Sequence, residues 1–438
     1  MRRVYSLSLP VIGELSLQHG LAAVDALFVA KLGLLSLNAV GVTSMFSVIL
    51  LSILNALGVT VTVFLSRATT HATSEKTPSH ARSLVWHGLV MGGSVGLTVA
   101  ILCLLFATPL LHLAGAQGEL QRTAMPYFFL VLSSTPVLAL QTMLAACLRA
   151  SGDTQTPLKV GLQMNLVHVA LDALFIFGFD MGVAGAGVAY LLVQLFTLGL
   201  YLRRAAHHLP TRRDLKLSRP ILARMMRFAV PAVIERLFKR GGQAVYLSFV
   251  VRMGTEPYAA NNIANVLSLF TSLLGDGLAT GVSIAMGQAI GDETSDRQTL
   301  QARLTEIRRW GFLGAAVSMT LTTLLLWCLS PWISLWFTDE PHVIQLITLV
   351  LGIYIFCQPF FAANLIDCAA IQAGGNSTYT MWVTILGVWG VRLVFIPILI
   401  FGFHLGLSGV WMCIGLDHMT RAYLYRRYRL KRDILYVP

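Results

Sequence analysis

Acidic side chains set inside a long apolar run are the first chemistry this sequence offers. Residues 7–29 read LSLPVIGELSLQHGLAAVDALFV and carry Glu14, Gln18 and Asp25. At about 100° per residue, a helix brings Gln18 within about 40° and Asp25 within about 20° of Glu14, one narrow polar stripe. An ionised acid at mid-bilayer costs about 2.5–3.5 kcal/mol on insertion scales, so such residues face a watered, protein-lined cavity or a partner. A carboxylate held this way can bind and release a cation. For Glu14, close to an interface, a satisfied structural role competes with that reading. Asp25 lies well inside the run, where the cavity reading is favoured.

A second stripe follows in residues 157–179. Asn165, His168 and Asp172 are spaced i, i+3 and i+7, within one helical face. Histidine beside an aspartate forms a charge-coupled pair suited to proton transfer. Gln194, one span later, is a further candidate for the same cavity. In the second half of the chain Glu235 precedes Lys239 by four residues, with Arg236 and Arg240 adjacent. That acid-first pair can neutralise itself on one helix. Asp276, Asp367, Arg392 and Asp417 are further charges inside apolar runs, and Arg392 is expected to pair with one of these acids.

These side chains need elements that cross a bilayer. The 438 residues are 56% hydrophobic and only 12% charged, and apolar runs of membrane-spanning length recur from end to end. The runs are continuous rather than alternating, which excludes a β-barrel. About twelve spans are expected, near 6–30, 38–66, 83–112, 121–148, 157–179, 183–202, 225–252, 258–289, 309–337, 343–370, 379–402 and 405–425. The first resembles a signal peptide in having Arg2 and Arg3 ahead of it. Its length, its acids and the lack of a small-residue cleavage site predict that it stays.

The net charge of +12 would suggest nucleic acid in a soluble chain. Here Lys31, Arg122 and Arg252 are the only basic residues on outer segments, which predicts both termini in the cytoplasm of a multi-pass cytoplasmic-membrane protein. The basic charge is topology, and no nucleic-acid partner is expected. The six cysteines all fall in apolar spans without a CxxC pair and read as packing residues.

Residues 203–224, basic and split by Pro210 and Pro220, divide the chain into lobes 1–202 and 225–438. This linker reads as cytoplasmic and tolerant of change. The lobes repeat. At an offset of 221, Pro10 matches Pro231, Glu14 matches Glu235, Gly33 matches Gly254 and Val61 matches Val282. Further on, at 223–224, LRASGDTQTP (148–157) faces IQAGGNSTYT (371–380), and FGFDMGVAG (177–185) faces FGFHLGLSG (401–409). Six spans per lobe make these parallel repeats, an arrangement that secondary transporters use. The fold class is therefore an all-α polytopic membrane protein of about twelve transmembrane helices in two six-helix lobes. The lobes are unequal in charge, since Asp25 maps to Tyr246 and His168 to Arg392. No Walker A, HExxH, GxSxG or metal-binding cysteine set is present. An enzyme is not expected, and neither a metal nor an organic cofactor is called for.

The sequence resembles the multidrug and toxic compound extrusion (MATE) family. The likeness runs through LPVIGEL…AAVDALFVAKLG, the LRASGDTQTP loop, GVAGAGVA, FAVPAVIE…VVRMGTEPYAANNIA, MGQAIGD and the closing GLSGVW, nearly the whole chain. The resemblance implies two six-helix lobes that exchange amphipathic organic cations and other drug-like compounds for H⁺ or Na⁺. It puts Asp25 at the family's first-helix cation-site acid and Asp172 at its fifth-helix acid. His168 stands where sodium-binding members carry Asn, and Tyr190 where they carry Thr. A hard cation prefers the oxygen donors so replaced, which favours H⁺ over Na⁺ as the coupling ion. Lys239 and Phe361 stand at the acid positions of a second-lobe cation site, which is expected to be absent. A monomer in contact with membrane lipids is expected. The alternatives are Na⁺ coupling and a lipid-linked precursor flippase of the same superfamily, for which Arg236, Lys239, Arg240 and Arg392 would supply a cationic cavity. An intramembrane lipid-modifying enzyme is least favoured.

Overall fold

The computed structural model describes residues 2–69, 79–211, 214–292 and 296–431, and among these there are helices and no strands. Backbone polar groups in hydrocarbon must be satisfied within the segment, which leaves helices as the spanning element. Twelve long helical segments succeed one another: α1 (Arg2–Ala30), α2 (Leu34–Ala68), α3 (Ser79–Leu105), α4 (Glu119–Ser133 with Thr135–Ser151), α5 (Gln155–Gly178), α6 (Gly182–Arg204), α7 (Arg219–Val251), α8 (Thr255–Ile290), α9 (Arg297–Ser334), α10 (Pro341–Ala373), α11 (Ser377–Gly402) and α12 (Gly406–Lys431). All but α1, α4, α7 and α12 are single helices long and apolar enough to cross a membrane, and α4 qualifies as a bent pair. α1, α7 and α12 fall short because they carry the charges singled out above, together with the arginines that close α12. The expected twelve-span, all-α architecture is what the chain adopts.

Departures from straight helix have local causes. α4 bends by 40° where Pro136 lacks an N–H. There the hydroxyls of Ser134 and Thr135 donate back to the carbonyls of Val131 (2.6 Å) and Leu132 (2.7 Å). α5 turns from α- to π-helix after Asp172, over Ala173–Gly178, and α11 contains two π segments, Leu386–Arg392 and Ile398–Gly402. Such wide turns shift side chains out of the regular stripe and recur at functional positions.

The repeat is written into the backbone. Gly33 and Gly254 have φ of 100° and 108°, and Gly152 and Gly375 both have 99°. Asp180 and His404 have 53° and 54°, and Gly182 and Gly406 have 55° and 57°. The two halves thus place left-handed residues at equivalent turns, including one non-glycine position in each, where such a conformation is uncommon.

The chain divides into two compact units, Gly13–Ala229 and Met1–Ile12 with Val230–Pro438. The division is not linear in sequence: the start of α1 groups with the second unit. Gly277 and Gly281 of α8 lack the side chains that would collide with Ile12 and Ser8. The Arg3 guanidinium donates to Gln288 Oε1 at 2.6 Å, and Tyr5 donates to the Trp310 carbonyl at 3.3 Å.

Part of the linker is tied to α3. Asp214 is buried, and its Oδ2 accepts from Thr211 Oγ1 (2.6 Å), Thr211 N–H (2.9 Å) and Arg82 Nε (2.9 Å). Ser218 N–H donates to Nε2 of buried His87 at 2.8 Å, while the other ring nitrogen meets the Ser83 carbonyl at 2.6 Å. Arg212 and Arg213 lie outside the described residues. Composition reported the polar character of the segment, but its partners lie about 130 residues away. The Thr211 hydrogen bonds, and after them the Arg82 guanidinium, hold the Asp214 carboxyl below the usual carboxylate range. A depressed folded-state value means this contribution is present above about pH 4 and lost as pH falls through the lower value. Asp214→Ala is expected to raise the rate of tryptic cleavage at Lys216 severalfold at neutral pH. Cleavage at the unmodified rate would show that the latch does not hold the segment.

Candidate functional site

The candidate site lies in the first unit, on α1, α5 and α6. Asp25 is on the second half of α1, past the point where that helix changes units. His168 and Asp172 are one turn apart on α5 and both buried, at 4% and 2% exposure. His168 stands between the two acids, with Nδ1 3.8 Å from Asp25 Oδ2 and Nε2 3.6 Å from Asp172 Oδ2. The three ligand atoms lie within 4.8 Å of one another. The Tyr190 ring centroid is 5.9 Å from that of His168. The side chain of Asp25 retains 32% exposure, so the cluster has one open acid and one enclosed acid joined by an imidazole.

Several buried polar atoms of α1, α5 and α6 have no hydrogen-bond partner: Asp25 Oδ1, Asn165 Oδ1, His168 Nδ1, Asp172 Oδ1 and Gln194 Oε1. Orphaned buried acceptors are costly, and this set offers lone pairs to a proton, a hydrated proton or a small cation. Asn165 is fixed by its amide N–H donating to the Leu17 carbonyl at 2.8 Å. Gln194 receives Gln141 Nε2 on its backbone carbonyl at 2.5 Å, which leaves its side-chain oxygen available. Asp25, His168, Asp172 and Tyr190 are thus drawn together.

The stripe on α1 divides. Gln18 is exposed, while Glu14 is buried and accepts from Arg149 Nη1 at 3.2 and 3.4 Å. Arg149 closes α4, 135 residues away, and no local spacing pointed to it. Its repeat equivalent is Gln372, whose Nε2 donates to Glu235 at 3.1 Å. The first helix of each lobe is therefore clamped by its glutamate to the end of the fourth. The turn that follows is also shared: Asp153 accepts from Thr156 N–H (2.9 Å), as Asn376 does from Tyr379 N–H (3.0 Å). Both glutamates thus serve as clamps between helices, the structural role that competed with the cavity reading of Glu14.

Glu235 does not form the self-neutralising pair with Lys239. Its carboxylate is taken by Thr380 (2.9 Å), Gln372 (3.1 Å), Thr384 (3.2 Å) and the Cys368 thiol (3.7 Å). Four donors from neighbouring helices outweigh one i+4 contact. Arg392 finds Asp417, at 2.5 Å. Asp417 is fully buried and is also held by Arg421, with Nε 2.7 Å from Oδ1. The sequence had not singled out Arg421, Asn364 or His418, all buried in the same network. Gly387 makes room for it, because a Cβ there would meet Asp417 Oδ1 and, at 2.7 Å, Arg421 Cγ. Asp367 is held by Arg308 (3.0 Å) and Arg429 (3.2 Å). Asp276 is exposed on α8.

The MatE family model matches residues 10–174 and again 231–398, one match per repeat. The uncharacterized transporter YisQ of Bacillus subtilis is 23% identical over 97% of this chain and 93% of its own length. The probable multidrug resistance protein NorM of Thermotoga maritima is 24% identical over 97% of this chain and 90% of its own. A crystal structure of MATE in the bent conformation superposes with a TM-score of 0.88 at 21% identity, covering 98% of this chain and 94% of that one.

Proposed function

As a member of the MatE family this chain is a membrane transporter and not an enzyme, and we propose that it is a proton-coupled antiporter exporting amphipathic organic cations and related drug-like compounds. It would act as a monomer in the cytoplasmic membrane with both termini inside. The observation that carries this reading is the Asp25–His168–Asp172 cluster, in which an imidazole lies within 3.8 Å of one carboxylate and 3.6 Å of the other. Two acids bridged by histidine can take up and release a proton without a fixed basic partner. The positive charge of a substrate and a proton then compete for the same carboxylates. By reciprocal linkage, each weakens the binding of the other, which is what exchange requires.

Sodium coupling is the second reading, favoured by the unpartnered oxygens of Asn165 on α5 and Gln194 on α6. Hard cations bind oxygen ligands, yet His168 lies between the acids and Tyr190 packs near its ring. The test is transport in proteoliposomes. A pH gradient, acid outside with respect to the direction of export and with no Na⁺ present, is expected to drive substrate movement. The double variant His168→Asn with Tyr190→Thr is expected to gain Na⁺ sensitivity. Strict Na⁺ dependence of the unmodified protein, with no response to the pH gradient, would replace the first reading by the second.

A further inference from the structure

The charged cluster of the second unit is basic where the Asp25–His168–Asp172 cluster of the first is acidic. Around its buried carboxylate Asp417 gather Arg392 and Arg421, and Lys239 lies in the field of Arg421, Arg236, Asp276 and Glu235. Arg240 interacts in turn with Arg236 and Asp276. Five cations thus face three acids. Of those acids, Asp417 is shared by two guanidiniums, and Glu235 is taken by neutral donors. Unbalanced charge inside a membrane span is costly unless water or a counter-charge compensates it.

We propose that the second unit binds an anionic group, a carboxylate or phosphate, at Lys239, Arg392 and His418, so that the preferred substrates carry such a group together with their positive charge. Three donors stand ready. Lys239 is exposed on α7 and enters no hydrogen bond or ion pair among the described residues. Arg392 gives one Nη to Asp417, while its Nε is buried without a partner. The third donor follows from tautomer logic. His418 Nδ1 is approached by Arg421 Nη2 at 3.3 Å and by Asn364 Nδ2 at 3.2 Å. Arginine can only donate, so Nδ1 accepts and the ring proton sits on Nε2. The ring is held in place by stacking on Phe361, with centroids 4.3 Å apart. Lys239 follows Phe238, whose backbone carbonyl accepts from Trp389 Nε1 at 3.0 Å three residues before Arg392, and Arg392 and Arg421 meet on Asp417 beside His418, so the three donors lie where α7, α11 and α12 pack. A wholly cationic group is repelled here, whereas a carboxylate gains charge-assisted hydrogen bonds.

The substrate half of this inference rests on the transport reading, but its test is a binding measurement that needs no gradient, so the two fail separately. The full chain in phosphatidylcholine nanodiscs is titrated with rhodamine B and with rhodamine B ethyl ester, which share one cationic ring system and differ by the free carboxylate. Fluorescence polarisation is expected to show the acid bound about tenfold more tightly than the ester, the worth of one good charged contact. Lys239→Gln is expected to erase that preference while leaving the ester's affinity in place. Lys239→Arg should keep the preference, which separates a charge effect from damage to the fold. Replacing part of the lipid by phosphatidylglycerol identifies the anion's source. If rhodamine B binding falls and Lys239→Gln removes the fall, a lipid phosphate occupies the site, which keeps the anion site and overturns the substrate preference. If binding is unchanged, both parts stand. Equal binding of the two dyes by the unmodified protein, or a preference that survives Lys239→Gln, overturns the proposal.

Discussion

Asp25→Asn is expected to reduce uphill export to the background of empty proteoliposomes while leaving expression and thermal stability unchanged. The substitution keeps size and shape but removes the one cluster acid whose side chain retains 32% exposure. Exchange depends on a carboxylate that holds a proton in one half of the cycle and a positive charge in the other. An amide does neither, and the linkage between the two ligands disappears. Downhill equilibration of substrate can persist, so the measurement is accumulation against a gradient at matched protein levels. Export should rise as the receiving side is made more acid than the other, because protons then enter the cycle from that side. A variant that still concentrates substrate would show that Asp25 is structural.

The second large effect concerns stability. Asp417→Asn is expected to cost about 3–5 kcal/mol, the usual loss when one partner of a buried ion pair is removed. Asp417 is fully buried between Arg392 and Arg421, and Gly387 packs directly over it. Without the carboxylate, two guanidiniums face each other across a site from which water is largely excluded. The apparent melting temperature in detergent should fall clearly. Adding Arg421→Gln should recover part of the loss, since it removes one of the opposed charges. An unchanged melting temperature would mean that water or a bound anion already compensates these arginines. The nanodisc titration would then report that anion directly.

What could be read in advance was whatever repeats or is local. The pairing of His168 with Asp172 is an i+4 relation on one helix, and the helix periodicity contains it. That Asp25 would join them came from family resemblance rather than from spacing, since no pattern within α1 fixes a contact with α5. Glu14 shows the limit. Its apolar surroundings marked it as costly, but the choice between cavity and clamp depended on Arg149, which belongs to another stripe in another helix. The repeat held a usable signal, because Glu14 and Arg149 map onto Glu235 and Gln372 at nearly one offset.

The sequence by itself determined the class of fold, the number and order of the spans, the two-fold repeat and the candidate acids of the first unit. These follow from hydropathy over membrane-spanning lengths and from side-chain periodicity within a helix, both functions of neighbouring residues. Only the tertiary structure decided which charges are spent on each other. It gave Glu14 to Arg149, turned Glu235 from Lys239 to the ends of α10 and α11, matched Arg392 with Asp417, and tied the linker to α3. Each choice is a competition among partners distant in the chain. It is settled by which helices pack together and how far their backbones approach, and no local pattern encodes that. The groups left unmatched by that competition, the acids beside His168 in the first unit and Lys239 in the second, are where ligands have something to bind.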